Sequence, residues 1–383
     1  MIVIKAVKVV EVISDTNIGG AGKLLLNRLE NSNKNRFKYT VILPRSSMLC
    51  NLLKKTGVNI IEINGCKDKS FDIRTFIELY KNIKKISPDI INSHACLTAR
   101  LVGKIADVDL NLYTRHCDFP VNKIYSFKKI VNIVKWFNIC LNDGVIAVSE
   151  SAKRNLIKLG VPPQMIKVIV NGSKALKGIS CDEKKKIRAG LNIPADATVV
   201  SIFARLESYK DHKTLLRAAK VLQKNHKIYF LIVGSGSLEE KLKKYADKLG
   251  VKKRVIFLGF INDVSKIMNI TDINVNCSIG TETSSLALSE GMSLSVPAIA
   301  SDYLGNKYIV KDRVNGLIYH QKDYKELADK ILLLSRDKKL YTYLSENAKK
   351  RFCDELNAKR MTEETEKYYL SLLKKKRSIK HFH

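Results

Sequence analysis

Short runs rich in β-branched residues alternate with longer stretches of helical period along nearly the whole chain, and this alternation limits the fold more than any other feature. In the first half the strand candidates are residues 7–13, 39–43, 59–63, 90–93, 110–114, 144–148 and 166–170. In the second half they are residues 198–204, 229–233, 255–258, 273–277 and 298–301, with 317–319 as a short addition. Amphipathic stretches such as 213–225 and 238–249 separate them. Strands spaced by helices need crossover connections, which build parallel sheets covered by helices. A chain of 383 residues is long for a single core, so the two series of βαβ units predict two Rossmann-like α/β domains in tandem. The boundary falls near Asn171-Gly172-Ser173, where a polar segment without period begins. The expected division is 1–172 and 173–355, with a last helix at 356–378 crossing back to the first domain.

Charge narrows the partners. The chain carries 68 Lys+Arg against 37 Asp+Glu, a formal charge of +31, which predicts an anionic partner: nucleic acid, an acidic membrane surface or a phosphorylated substrate. The excess is spread along the chain, with 27 basic and 13 acidic side chains in 1–170 and 41 and 24 in 171–383. A hydrophobic content of 45% excludes a disordered basic tail protein. Nucleic-acid binding is supported by charge alone, since no helix-turn-helix, RNP, KH or zinc-finger pattern occurs. Eight cysteines lie no closer than sixteen residues apart, so they read as reduced thiols of a cytoplasmic protein and not as metal or redox pairs. Lys5, Lys8 and Glu11 interrupt the apolar N-terminus, which reads as a buried first strand and not as a signal peptide. No apolar run approaches the roughly 20 residues of a spanning helix.

Three segments have the residue types of a phosphate- and sugar-binding site. Gly19-Gly20-Ala21-Gly22 follows the first strand and opens a helix expected at 24–31, where free backbone N–H groups suit a phosphate. Those glycines equally suit a tight strand–helix turn. Arg205 and Lys210 lie on the loop after strand 198–204, at the sheet edge where open α/β sheets bind ligands. Two cations there suit a diphosphate, although solvated loop charges would look the same. Glu282 and Glu290 follow strand 273–277, the first in a loop with Thr283, Ser284 and Ser285, the second about two turns into a helix. Asp107-Val-Asp109 has the DxD form of a metal–diphosphate site, but it precedes its strand, at the wrong edge of the sheet. No His/Cys cluster suits a metal either, and none is expected. The stretch 121–141 is amphipathic, with Ile124, Phe127, Ile130, Val131, Val134, Phe137 and Leu141 on one side. Lys128, Lys129 and Lys135 lie on the other with Trp136 among them, a pattern suited to a membrane interface or to ordinary packing on a sheet. Lys374-Lys375-Lys376-Arg377 and Lys380 add a basic patch near the C-terminus.

Taken together and in order, these segments resemble the group 1 glycosyltransferases, glycosyltransferase family four, over essentially the whole chain. The E-x7-E motif of that family matches Glu282 and Glu290, and its R-x4-K matches Arg205 and Lys210. Val233-Gly234-Ser235-Gly236, Phe257-Leu258-Gly259-Phe260 and Val314-Asn315-Gly316 match further landmarks. So do Ala147-Val148-Ser149, Asn92-Ser93-His94 and Tyr113-Thr114-Arg115-His116. The resemblance implies a GT-B fold, two Rossmann-like domains facing across a cleft, and a retaining sugar transferase that uses no metal or other cofactor. The donor would be a nucleotide sugar, most simply UDP-linked, and the acceptor a surface glycan or its lipid-linked precursor. Nucleic acid would not be a partner, and the chain would be cytoplasmic, peripheral to the inner face of the membrane.

The same resemblance implies roles. Arg205 and Lys210 would neutralise the donor diphosphate, Glu290 would hold the ribose, and Glu282 would contact the donor sugar near the reacting face. Gly19, Gly20 and Gly234, with Ser284, Ser285 and Leu286, would complete the donor site. His116 would lie beside the sugar and acceptor, and His94 would be a second neighbour of the same groups. A UDP-sugar epimerase of the same fold is the alternative, and the E-x7-E and R-x4-K pair favours the transferase. The chain departs from the family at Leu304-Gly305-Asn306-Lys307-Tyr308, where many members carry a Glu near the donor, and at Thr283-Ser284-Ser285, where glycines are common.

Overall fold

The computed structural model describes residues 6–380 except 15, 17–18, 46, 66–70, 95, 117–127, 225–226 and 281, with backbone alone at 128–130 and 379–380. The chain divides into two compact units, Met1–Gly172 with Ala358–His383, and Ser173–Asn357. In the first unit the strands are β1 (Val7–Ile13), β2 (Phe37–Pro44), β3 (Asn59–Ile63), β4 (Ile90–His94), β5 (Leu110–Arg115), β6 (Gly144–Ala147) and β7 (Ile166–Val168). They form one parallel sheet in the order β3-β2-β1-β4-β5-β6-β7. Val10, Val12, Ile42, Ile63 and Ile91 are fully buried, as expected of strands covered on both faces. The final helix, Ala358–Lys380, packs on the first, Gly20–Glu30, where Arg28 donates to the Tyr369 hydroxyl and Thr362 to the Arg28 carbonyl.

The second unit repeats the plan with β8 (Thr198–Phe203), β9 (Ile228–Val233), β10 (Val255–Gly259), β11 (Ile273–Asn276), β12 (Ala298–Ser301) and β13 (Gly316–Tyr319). Its order is β10-β9-β8-β11-β12-β13, again parallel. In each sheet the winding reverses once, between β1 and β4 and between β8 and β11. Ligands of open α/β sheets bind outside the carboxyl ends of the strands at such a reversal. The loops after β8 and β11 hold Arg205, Lys210 and Glu282; those after β1 and β5 hold Gly19 and His116.

Two expectations are corrected, at the first helix and at residues 128–141, while Asp107-Val-Asp109 lies at the sheet edge where it was expected. The first helix starts at Gly20, not at 24, so the glycines form its first turn. Gly19, at φ −89°, and Gly20 adopt no conformation that demands glycine, and a Cβ at Gly20 would meet nothing within 4 Å. The tight-turn explanation therefore fails at these two positions, which instead begin the helix, where first-turn amides have no intrahelical acceptor. Asp109, at the amino edge of β5, lies 3.6 Å from Arg377, an ordinary ion pair of that edge. On helix Lys128–Leu141, Val131, Val134, Phe137 and Leu141 do turn inward. The outward face, however, carries exposed Ile133, Trp136 and Ile139 beside Lys135. Ile124 and Phe127, and the side chains of Lys128, Lys129, Ile130 and Lys380, lie outside the described residues. Among the described residues, no helix is long and apolar enough to cross a membrane.

Candidate active site

In the second unit the strand ends dictate the site. β8 runs into Arg205 and a short 3-10 turn, Ser208–Lys210. The turn is anchored to the loop after β11 by the Ile279 amide, which donates to the Tyr209 carbonyl at 2.9 Å. That strap brings the Lys210 ammonium onto Oε2 of Glu282, an ion pair with both side chains largely covered. The same carboxylate oxygen accepts from the Ser278 hydroxyl at 3.1 Å and the Asn276 amide at 3.4 Å. Arg205 does not join this cluster; its guanidinium is exposed and donates to the Tyr209 hydroxyl at 2.6 Å. Arg205 and Lys210 lie 5.9 and 5.5 Å from the Tyr209 ring centre, so the tyrosine spaces the two cations.

Helix Leu286–Ser293 opens beside Glu282. Ser285 is its N-cap, accepting from the Leu288 amide at 3.4 Å. Ser284 is buried, and the half-buried Leu286 is the helix's first residue, leaving the amides of the first turn without intrahelical acceptors. Glu290 is half-buried on the same helix. Gly234, with φ +139°, turns β9 away so closely that a Cβ there would lie 2.1 Å from the Ala204 carbonyl oxygen. The segment Leu304–Tyr308, where the chain departs from the family, packs on the Glu282 backbone and side-chain network. A Cβ at Gly305 would lie 1.9 Å from the Glu282 carbonyl oxygen, so only glycine lets this helix pack against the Glu282 backbone. Asn306 donates to Ser301 and to Asn276, which itself holds Glu282.

In the first unit a second polar cluster occupies the sheet face beneath the ends of β4 and β5. Glu11 on β1, Asn92 and His94 on β4 and Thr114 on β5 share that face by register. Glu11 is fully buried. Its Oε1 lies 2.5 Å from Arg28 and 3.2 Å from the Tyr369 hydroxyl; its Oε2 lies 2.8 Å from His94 Nε2 and 2.9 Å from Asn92 Nδ2. Burial alone would raise the Glu11 carboxyl; the Arg28 guanidinium, and then His94, outweigh it and hold the pKa at about 2. His94 Nδ1 in turn lies 2.7 Å from His116 Nε2, with the rings 23° from coplanar. Burial lowers the pKa of both histidines, and keeps His116 neutral most strongly. Arg28, His94, Thr114, His116, Asn171 and Thr365 line a cavity of about 30 Å³ against this cluster.

The structure thus unites Lys210 with Glu282 and His94 with His116, and leaves Arg205 beside Tyr209. Sequence reasoning missed Tyr209, Asn276, Ser278 and Asn306 in the second unit and Glu11, Arg28 and Tyr369 in the first. The one available signal was a glutamate inside the apolar run 7–13. Among the described residues, no group of three or more His, Cys, Asp or Glu could hold a metal ion.

Comparison with known proteins agrees with this plan along the chain. Residues 183–351 match the family model described as glycosyl transferases group 1, and residues 18–173 that of glycosyltransferase family 4. The UDP-Gal:alpha-D-GlcNAc-diphosphoundecaprenol alpha-1,3-galactosyltransferase of Escherichia coli is 27% identical over 93% of this chain and 95% of its own length. The crystal structure of Anabaena HepE in complex with UDP-glucose superposes with a TM-score of 0.81 at 21% identity, covering 95% of this chain and 99% of that one. A glycosyltransferase from Rickettsia africae superposes at 0.82 with 20% identity, covering 97% and 99%. These structural likenesses establish the fold as GT-B.

Proposed function

The chain belongs to the group 1 glycosyltransferases, and from that premise we propose that it transfers a hexose or N-acetylhexosamine, with retention, from a UDP-sugar to a surface-glycan or lipid-linked acceptor. The observation that carries this reading is the Lys210–Glu282 pair at the winding reversal of the second sheet, with Arg205 beside it. A diphosphate arriving at this edge meets one point charge, one planar guanidinium and the N-terminus of helix Leu286–Ser293. Negative charge grows on the diphosphate as the sugar leaves, so fixed cations there act most strongly in the transition state. Glu282 then serves twice: it orients Lys210, and it presents carboxylate oxygen to sugar hydroxyls. Glu290 holds the ribose. Same-face attack assisted by the leaving phosphate needs no carboxylate nucleophile. The name of the Escherichia coli relative supports a UDP-sugar donor and a diphosphate-lipid acceptor. The test is incubation with a panel of UDP-sugars and a diphosphate-lipid acceptor. An α-linked product from an α-linked donor is expected; a β-linked product, or free UDP with no acceptor dependence, would contradict the reading.

We also infer a peripheral membrane contact through the outward face of helix Lys128–Leu141. Exposed Ile133, Trp136 and Ile139 are two-thirds, two-thirds and nearly half accessible, and they stand beside Lys135 in a chain of charge +31. An interfacial tryptophan and basic neighbours, each worth about 1 kcal/mol near an anionic surface, suit this contact. Trp136→Ser combined with Lys135→Glu is expected to weaken binding to phosphatidylglycerol vesicles by roughly tenfold or more. Undiminished binding would remove this face from the account.

A further inference from the structure

Glu11 has no assigned task beyond packing, yet through His94 it forms an ordered path that ends on His116. We propose that Glu11, acting through His94, is a positioning residue that holds His116 in one neutral tautomer, with hydrogen on Nε2 and Nδ1 left as acceptor. The proposal rests on the reading that His116 lies beside the transferred sugar, and it defines what the ring offers there: an acceptor for a sugar or acceptor-substrate hydroxyl, not a donor.

The chain of reasoning is geometric. Glu11 is a carboxylate fixed by Arg28 from helix Gly20–Glu30 and by Tyr369 from helix Ala358–Lys380, so its Oε2 can only accept. His94 Nε2, 2.8 Å away, must therefore carry hydrogen. A neutral His94 then has a bare Nδ1, and the 2.7 Å contact to His116 Nε2 makes that nitrogen the donor. His116 is left with a bare Nδ1. The opposite order would need an imidazolium at His94, which full burial beside the Arg28 charge opposes. The near-coplanar rings suit an N–H···N bond in the ring plane.

The support is the buried path itself, from Glu11 Oε2 through both ring nitrogens of His94 to His116 Nε2. Buried polar networks of this kind hold their members in one arrangement when each member is satisfied. A glutamine at 94 preserves the path, since its amide nitrogen donates to Glu11 while its oxygen accepts from His116. A leucine at 94 keeps volume and breaks it.

The test uses the full-length protein labelled with ¹⁵N-histidine, with and without UDP, alongside steady-state kinetics. In the wild type, long-range correlation spectra are expected to show His94 and His116 both protonated on Nε2 and bare on Nδ1 at neutral pH. His94→Gln should keep the His116 tautomer and most of kcat. His94→Leu should give a tautomer mixture at His116 and lower kcat by roughly 10²-fold with donor KM little changed. Glu11→Gln, where it folds, should shift the His116 signals in the same direction as His94→Leu. A wild-type His116 protonated on Nδ1, or a His94→Leu variant with full kcat, would overturn the proposal. The spectra need no substrate, so a wrong tautomer with active transfer sinks this inference alone. A correct tautomer without transfer of any UDP-sugar sinks the functional reading instead.

Discussion

Lys210→Ala is expected to lower kcat/KM for sugar transfer by roughly 10³-fold, about 4 kcal/mol, while the protein stays folded. A strap holds Lys210 in place: the Ser208–Lys210 turn is tied to the loop after β11, and the ammonium is bonded to Glu282. Its geometry is therefore set before any donor arrives, which is what makes a charge effective on a leaving diphosphate. Removing it does not strand Glu282 entirely, because Ser278 and Asn276 still donate to the same oxygen. Thermal stability should accordingly fall by a few degrees only. Lys210→Arg should recover little, because a planar fork cannot reproduce a point charge confined between Tyr209 and Glu282. Arg205→Ala, at an exposed side chain spaced from the cluster by Tyr209, should cost less and act mainly on donor affinity. Circular dichroism with initial-rate kinetics separates these outcomes. A Lys210→Ala enzyme within tenfold of wild type would remove Lys210 from the site.

The second large effect is on stability. Glu11→Leu removes the carboxylate that pairs with Arg28 and accepts from His94, Asn92 and Tyr369, and leaves a guanidinium buried without its anion. Breaking a buried pair in this way costs about 3–5 kcal/mol. For a unit of about 200 residues the melting temperature should drop by roughly 10 °C. Scanning calorimetry should show this in the transition of the first unit, with that of the second unchanged. The pH dependence follows from the lowered pKa. The Glu11 carboxyl titrates near 2 when folded and near 4.5 in the free residue, so its stabilisation is complete above pH 4.5 and is lost as pH falls towards 2. The gap between wild type and Glu11→Leu should therefore narrow across that interval. A constant gap would mean that packing, and not ionisation, explains the loss.

The strand pattern made both sheets legible because the central strands are buried on both faces and so read as near-continuous apolar runs; Val199, Val200 and Ile202 of β8 are examples. The positions of Arg205, Lys210 and Glu282 were legible too, because a loop that follows a parallel strand lies at the carboxyl edge of the sheet, where ligands of open α/β sheets bind. What local sequence does not contain is pairing across long separations. Lys210 and Glu282 meet over 72 residues, and Glu11 and Tyr369 over 358. Glu11 reads in sequence as an interruption of the apolar run 7–13; only Arg28 and the returning helix turn it into the anchor of a polar cluster. Asn306, in the segment where many family members carry a glutamate, is occupied with Asn276 and Ser301, and Asn276 in turn donates to Glu282. The helix Lys128–Leu141 was half legible. Periodicity located its inward face, but Ile133 and Ile139 broke the expected polar face, because amphipathic period describes packing against one surface and this helix presents apolar groups to two.

In the proposed reaction the edge of β8 and β11 binds a nucleoside diphosphate through Arg205 and Lys210. Isothermal titration of UDP into the full-length protein tests it most directly. The account predicts saturable binding to the wild type that weakens by tenfold or more in Lys210→Ala, and by less in Arg205→Ala, each 1.4 kcal/mol corresponding to a factor of ten. Binding of UDP with equal affinity to wild type and both variants, or none to the wild type, would contradict it.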